Sequence, residues 1–345
     1  MTHEKKHILV TGGAGYIGSH TVVALIEKGY QPVILDDYRN AQLDVVKRIE
    51  QVAHQAVPCY KIACQDEKAL HELFQRYNFW GVIHFAADKA VGESVENPIK
   101  YFDNNLGGLI SLLKVMQSNH VFRLVFSSSC TVYGEPSSIP VTEESPRSYA
   151  SPYGFTKLIN EQMLEQTYTA HPEFQLILLR YFNPIGAHES GLLGEEPQGV
   201  PSNLLPYLTQ TAVGIRKQLT VHGGDYDTPD GTCIRDYIHV VDLAEAHVAS
   251  LDFLHEQNTS TFEVINIGTG KGTSVKEMIT CFEEACAKKL NWTIGPRRPG
   301  DVPEIFAQAD KAAQLLHWKA RLSVADAIKS AWNYEQQRQK DKGHA

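Results

Sequence analysis

His7-Ile8-Leu9-Val10-Thr11-Gly12-Gly13-Ala14-Gly15-Tyr16-Ile17-Gly18 is the stretch that decides the fold. Its first five residues read as a buried strand, the glycines break that strand into a turn, and Ile17, Val22, Leu25 and Ile26 continue as the apolar positions of a helix. Each glycine has its own task. Gly12 permits the tight turn, Gly15 lets backbone amides approach a pyrophosphate, and Gly18 lets the helix pack closely on the strand. The helix N-terminus then faces the anion. Further on, Pro32-Val33-Ile34-Leu35 reads as a second strand ending in Asp36-Asp37, where a carboxylate accepts hydrogen bonds from an adenosine ribose. Strand, glycines, helix, strand and acid in that order predict a dinucleotide-binding βαβ unit. The acid would repel the extra phosphate of NADP and so favours NAD, while Arg39 keeps NADP open.

The same alternation continues outward. Val82-Ile83-His84-Phe85 and Leu124-Val125-Phe126 read as further parallel strands, separated by helical stretches near 67 to 77 and 97 to 119. Leu176-Ile177-Leu178-Leu179-Arg180 follows as another strand. Repeated βαβ units predict an α/β fold with a doubly wound parallel sheet of the Rossmann type. Ligands of such sheets lie at the carboxyl ends of the strands, which here carry Phe85-Ala86-Ala87 with Lys89, Ser127-Ser128-Ser129, and Tyr181-Phe182-Asn183. From about residue 184 the pattern changes to Gly- and Pro-rich loops at 186 to 206 and 223 to 231. Helices at 240 to 255, 275 to 290 and 324 to 337 and a strand at 262 to 267 follow. The expected division is a dinucleotide-binding domain over 1–183 and a smaller substrate-binding lobe over 184–339. Part of 237–270 is left free to pack back on the first domain, and 340–345 is expected to be a disordered tail.

The 345 residues are enough for a substantial core, and the net charge of −8 with a pI near 6.0 argues against a nucleic-acid or anionic-membrane surface. An anionic ligand must then be held by local groups. No apolar run approaches the length of a membrane span, and the polar start Met1-Thr2-His3-Glu4-Lys5-Lys6 does not read as a signal peptide. Six cysteines without a C-x-x-C pair read as free thiols in a reducing compartment, so the expectation is cytoplasmic, with the sequons at Asn258 and Asn291 unglycosylated. His3-Glu4-Lys5-Lys6-His7 matches H-E-x-x-H, but that zinc chemistry needs both histidines on one face of a buried helix. His7 begins a strand instead, and no metal site is expected.

Chemistry concentrates in Ser151-Pro152-Tyr153-Gly154-Phe155-Thr156-Lys157. Ser151 is a good N-cap and Pro152 a good first helical residue, so Tyr153 and Lys157 fall on one helix face. A nearby cation stabilises a phenolate, and a tyrosine of ordinary pKa about 10 can then serve as a general base near neutrality. Spacing alone leaves open the plainer reading of a solvated Tyr/Lys pair.

Taken together with the blocks T-G-G-A-G-Y-I-G-S-H at 11–20, H-F-A-A-D-K-A-V-G-E-S at 84–94, F-S-S-S-C-T-V-Y-G at 126–134, L-R-Y-F-N-P-I-G-A-H at 179–188 and R-D-Y-I-H-V at 235–240, the chain resembles the extended short-chain dehydrogenase/reductase family, and within it the UDP-sugar 4-epimerases. The resemblance implies Tyr153 as base, Lys157 binding the nicotinamide ribose and lowering the Tyr153 pKa, and Ser129 completing a hydrogen-bonded triad. It implies NAD held by Gly12, Gly15, Tyr16, Ile17, Gly18, Asp36, Asp66, Phe85, Ala86, Lys89, Asn104 and Tyr181 beside Tyr153 and Lys157. The UDP-sugar would be held by Lys89, Ser129, Asn183, Asn203, Leu204, Thr220, His222, Arg235, Tyr237, Arg298, Asp301 and Ile305. The implied protein is a homodimeric isomerase of galactose metabolism that interconverts UDP-glucose and UDP-galactose through a transient 4-keto sugar. Breaking a C–H bond of negligible acidity suits a nicotinamide that takes hydride while Tyr153 takes the hydroxyl proton. Dehydratase relatives carry an Asp-Glu pair where Cys130-Thr131-Val132 stands here. A non-catalytic NAD-binding protein would have little need for Ser129, Tyr153 and Lys157 together. Arg235 and Arg298 still admit a reading as surface ion pairs. Two positions depart from the family pattern: His222 stands where Phe is common, and Ile305 where hexose-restricted members carry Tyr. The second leaves open a UDP-N-acetylglucosamine 4-epimerase, or an enzyme that serves both sugars.

Overall fold

The computed structural model describes residues 6–257, 259–298 and 300–343. His3 of the H-E-x-x-H match and Asn258 of the first sequon lie outside the described residues. The strands in chain order are β1 (His7–Thr11), β2 (Gln31–Leu35), β3 (Cys59–Tyr60), β4 (Phe79–His84), β5 (Arg123–Ser129), β6 (Gln175–Tyr181), β7 (Asn183–Ile185), β8 (Leu219–His222), β9 (Ile234–His239), β10 (Thr261–Ile267), β11 (Gly272–Ser274), β12 (Trp292–Gly295) and β13 (Glu304–Ile305). Seven of them form one parallel sheet in the order β10-β6-β5-β4-β1-β2-β3. That is the doubly wound arrangement the glycine-rich start predicts, extended by one strand at the β6 edge.

Both faces of the sheet are covered, which is why its strands read as apolar runs rather than as alternating ones. Ile8, Val10, Ile34, Ile83, Val125 and Ile177 pack on one side with Val22 and Leu25 of helix Tyr16–Glu27 and Leu243 and Leu251 of helix Val240–Glu256. Leu9, Val33, Val82, Leu124 and Leu176 face the other way, onto Leu70, Leu73, Leu112 and Leu164. Helix Val240–Glu256 and β10 therefore pack on helix Tyr16–Glu27 and on β6 of the seven-stranded sheet. The rest of the C-terminal half forms small sheets: β9 pairs with β7, β11 and β13, and β8 pairs with β12. Helices Leu204–Ala212, Val275–Cys286 and Val324–Gly343 pack beside them.

Three boundaries differ from the sequence reading. The single helix expected over 97–119 is three pieces, with a π-helical turn at Phe102–Gly107 between Pro98–Tyr101 and Gly108–Ser118. The helix expected to reach 290 stops at Cys286, where Ala287 turns left-handed with φ 49°. The last helix runs on to Gly343, so 340–343 continue it instead of forming a disordered tail. Charged residues spaced for a solvated helix were legible there as polarity only. No helix among the described residues is long and apolar enough to cross a membrane.

Candidate active site

At the carboxyl ends of β1, β4, β5 and β6 the chain leaves a cleft of about 440 Å³, within the range of small-molecule sites. The β1 turn forms its floor. Gly12 sits at φ 69°, and a Cβ there would meet the Ala86 amide nitrogen at 2.8 Å. A Cβ on Gly18 would collide with the Gly12 carbonyl oxygen, and one on Gly15 would press on that same oxygen at 3.2 Å. The turn closes through Gly15 N–H donating to the Gly12 carbonyl at 3.0 Å. No side chain caps the helix that starts at Tyr16. Asp36 is buried at the edge of this cradle, its Oδ2 accepting from Ala14 N–H at 3.0 Å and its Oδ1 from Tyr38 N–H at 2.9 Å. Burial pushes its carboxyl above the usual value, and the two backbone hydrogen bonds pull the other way.

Tyr153 and Lys157 project from helix Pro152–Ala170, which Ser151 caps by accepting from Gly154 N–H at 3.1 Å. Both are buried, 8% and 3% exposed. The Lys157 ammonium lies 5.9 Å from the Tyr153 ring centre and donates to the Ser127 carbonyl of β5 at 2.7 Å. Burial lowers its pKa to about 8, with Glu161 opposing. Burial pushes the phenol of Tyr153 above its ordinary value, Tyr181 adds to that, and a hydrogen bond with Ser129 pulls it back. Ser129 Oγ accepts from Thr131 N–H at 3.2 Å, which leaves its own proton to donate.

Most residues named for the dinucleotide converge on the cleft wall: Gly12, Gly15, Tyr16, Ile17, Gly18, Asp36, Phe85, Ala86, Lys89, Asn104, Tyr153, Lys157 and Tyr181, with Ser129, Asn183 and Asn203 from the substrate set. Asp66 does not join them. It caps helix Glu67–Arg76 by accepting from Ala69 N–H at 3.0 Å, and Ile62, Ala63 and Cys64 form the wall there.

The remaining substrate residues lie beyond that wall. Arg298 meets Asp301 at 2.7 Å and Arg235 stands 3.8 Å from the same carboxylate, so the three form one cluster of ion pairs. Leu204 opens helix Leu204–Ala212, Thr220 and His222 lie on β8, and Tyr237 is buried on β9. Ile305 pairs with Arg235 across β9 and β13 and is 5% exposed, packed with Cys130, Val132, Val141 and Phe182. It is a core residue that ties the small lobe to the turn after Ser129, because an aliphatic chain gains most by leaving water.

Two features escaped the sequence reading. Glu195, in a loop legible only as Gly- and Pro-rich, accepts from Lys89 Nζ at 3.0 Å and from Asn203 Nδ2 at 2.6 Å inside the cleft. Glu161 is buried one turn beyond Lys157 and is forked by Arg180 of β6, Nε to Oε1 at 2.9 Å and Nη2 to Oε2 at 2.7 Å. Ser128 donates to it at 2.6 Å. This pair pins the Tyr153 helix to β5 and β6, and the spacing 153, 157, 161 was its available signal. Among the described residues no cluster of three or more His, Cys, Asp or Glu could hold a metal ion.

The family model described as GDP-mannose 4,6 dehydratase matches residues 9–331. The chain is 50% identical over 331 residues to UDP-glucose 4-epimerase 1 of Oryza sativa subsp. japonica, covering 95% of this chain and 94% of that one. It is 48% identical over 328 residues to the UDP-glucose 4-epimerase of Dictyostelium discoideum, covering 95% of each. The crystal structure of UDP-glucose 4-epimerase from Bifidobacterium longum in complex with NAD+ and UDP superposes with a TM-score of 0.94 at 47% identity, covering 97% of this chain and 99% of that one.

Proposed function

This chain belongs to the UDP-glucose 4-epimerase family of extended short-chain dehydrogenases/reductases, and on that premise we propose how its residues divide the work. The protein is an NAD-dependent isomerase that interconverts UDP-glucose and UDP-galactose. One observation carries the assignment of roles: Ser129, Tyr153 and Lys157 line the same cleft as a glycine cradle whose floor a single Cβ would fill.

NAD fits that cradle, with Gly12, Gly15 and Gly18 leaving backbone exposed to a pyrophosphate and Asp36 offering further lone pairs to a ribose. Bound NAD supplies the acceptor for the C4 hydrogen. The chain's own work is proton transfer and positioning. Tyr153 takes the proton of the sugar 4-hydroxyl and returns it. Its burial makes the phenolate costly, and Lys157, 5.9 Å from the ring centre, is the neighbouring cation placed to offset the cost. Ser129 donates to the phenol oxygen. Asn183 and Asn203 in the cleft, with Arg235, Arg298 and Asp301 on the small lobe, hold the UDP part; residues 1–183 with 240–267 carry the cofactor. At the position where dehydratases place their acid pair stand Cys130, Thr131 and Val132, which supports epimerisation over elimination of water.

The homodimer is proposed on an apolar groove between helices Gly108–Ser118 and Pro152–Ala170, lined by Ile110, Leu113, Ile159 and Met163. Six free cysteines support a cytoplasmic place in galactose metabolism, and the net charge of −8 supports a small-molecule partner over nucleic acid.

The test of the mechanism is isotopic. UDP-galactose deuterated at C4 should give UDP-glucose that keeps the label through many turnovers, read by mass spectrometry. Loss of deuterium to solvent would rule out hydride held within one site.

A further inference from the structure

The two carboxylates after β2 do different things. Asp36 gives both oxygens to backbone amides of the glycine turn and of its own turn. Asp37 turns to Arg39. Its Oδ1 accepts from Arg39 N–H at 3.0 Å, and its Oδ2 accepts from Nε at 2.6 Å and lies 2.6 Å from Nη2. Nη1 of Arg39 donates to Asn104 Oδ1 at 2.7 Å and stands 3.7 Å from Asp88 Oδ2, a buried oxygen with no hydrogen-bond partner among the described residues. All three side-chain nitrogens of Arg39 are thus occupied, and Asp36, Asp37 and Asp88 make its surroundings negative. Arg48, the other guanidinium of that wall, is held by Asp44 at 2.6 Å and by Glu196 at 3.2 Å.

An arginine near the acid that ends the second strand is what lets dinucleotide folds accept a 2′-phosphate. Here it lines the cleft beside Asp36. We propose that Asp37 sets the dinucleotide preference of this chain by keeping Arg39 occupied, so that the guanidinium cannot receive the phosphate that distinguishes NADP from NAD. The proposal rests on the reading that NAD is the cofactor and names the residue that enforces it. Arg39 and Asp37 are partly exposed, with side chains 38% and 25% accessible, so solvent weakens the pair as a contributor to stability. Its effect lies in discrimination, where an added carboxylate repels the wrong ligand and disables the group that would attract it.

Asp37→Asn tests this with little disturbance, since the amide oxygen can still accept from Arg39 N–H and only the charge is removed. The full chain, freed of bound nucleotide, is titrated with NADH and NADPH by nicotinamide fluorescence. Asp37→Asn should lower the Kd for NADPH by about tenfold or more, the scale of one charge contact near the surface, and leave that for NADH within about threefold. Asp37→Asn/Arg39→Ala should lose the gain. An NADPH affinity unmoved by Asp37→Asn while NADH still binds overturns this proposal alone, as does a gain that survives removal of Arg39. Failure of the unsubstituted chain to bind NADH overturns the cofactor reading and this proposal with it.

Discussion

The two sides of the cleft anchor their polar groups differently. On the cofactor side three anchors are main chain or buried, with the Arg39–Asp37 pair at the rim holding itself: Asp36 is held by two backbone amides, Lys157 by the Ser127 carbonyl, and the Tyr153 helix by the Glu161–Arg180 fork. On the substrate side, side chains hold one another, Arg235 and Arg298 sharing Asp301, Lys89 and the amide of Asn203 sharing Glu195. Groups tied to backbone are preorganised and cost nothing to reorganise during proton transfer. Groups tied to each other can trade partners when an anionic nucleotide arrives, at the cost of breaking an ion pair.

The largest expected effect strikes the preorganised side. Tyr153→Phe should cut kcat by about 10² to 10⁴-fold, the usual worth of a general base, with NAD content on acid release unchanged because only the oxygen is lost. Equal loss of NAD and activity would merge binding and chemistry and break the comparison.

Next comes Lys157, whose pKa of about 8 lies below its ordinary 10.5. Between those values the unfolded chain binds a proton that the folded chain does not, so stability rises with pH across the window. Below it Lys157 costs about 3 kcal/mol. Denaturant unfolding should show that rise for the parent relative to Lys157→Met, which lacks the titrating group. Parallel pH profiles would mean that the ammonium is not paying a burial cost. Activity of Lys157→Met should fall as well, since Tyr153 loses the cation that offsets its buried phenolate.

The smallest effect belongs to the exchangeable side. Arg235→Ala should raise KM for UDP-galactose by about 10 to 100-fold, the worth of one charge-assisted contact, with kcat and bound NAD little changed. A fall in kcat without a change in KM would place Arg235 with the preorganised groups.

Legibility follows the same division. The cradle was readable because Gly12, Gly15, Gly18 and Asp36 lie within 25 consecutive residues of one βαβ unit, and the Tyr153–Lys157 face because it spans one helical turn. The π-helical turn at Phe102–Gly107 was not, since nothing in its apolar spacing marks the change of winding. Asp66 was named for the cofactor by resemblance alone; its N-cap bond to Ala69 N–H was legible from an aspartate directly before a helix. Ile305 was named for the sugar on its place in the family pattern, and its packing with Cys130, Val132 and Phe182 was not legible locally.

The sequence by itself determined the parallel sheet, the glycine cradle and the placing of Tyr153 and Lys157 on one helix face, because each depends on neighbours one turn or one strand apart. Only the tertiary structure decided that Glu195 would join Lys89 to Asn203, that Glu161 would find Arg180, and that Asp88 and Asn104 would close on Arg39. It also decided that burial would push Tyr153 up while pulling Lys157 down. Ion pairing and desolvation are sums over groups that meet only after the chain has folded, and no local spacing encodes them.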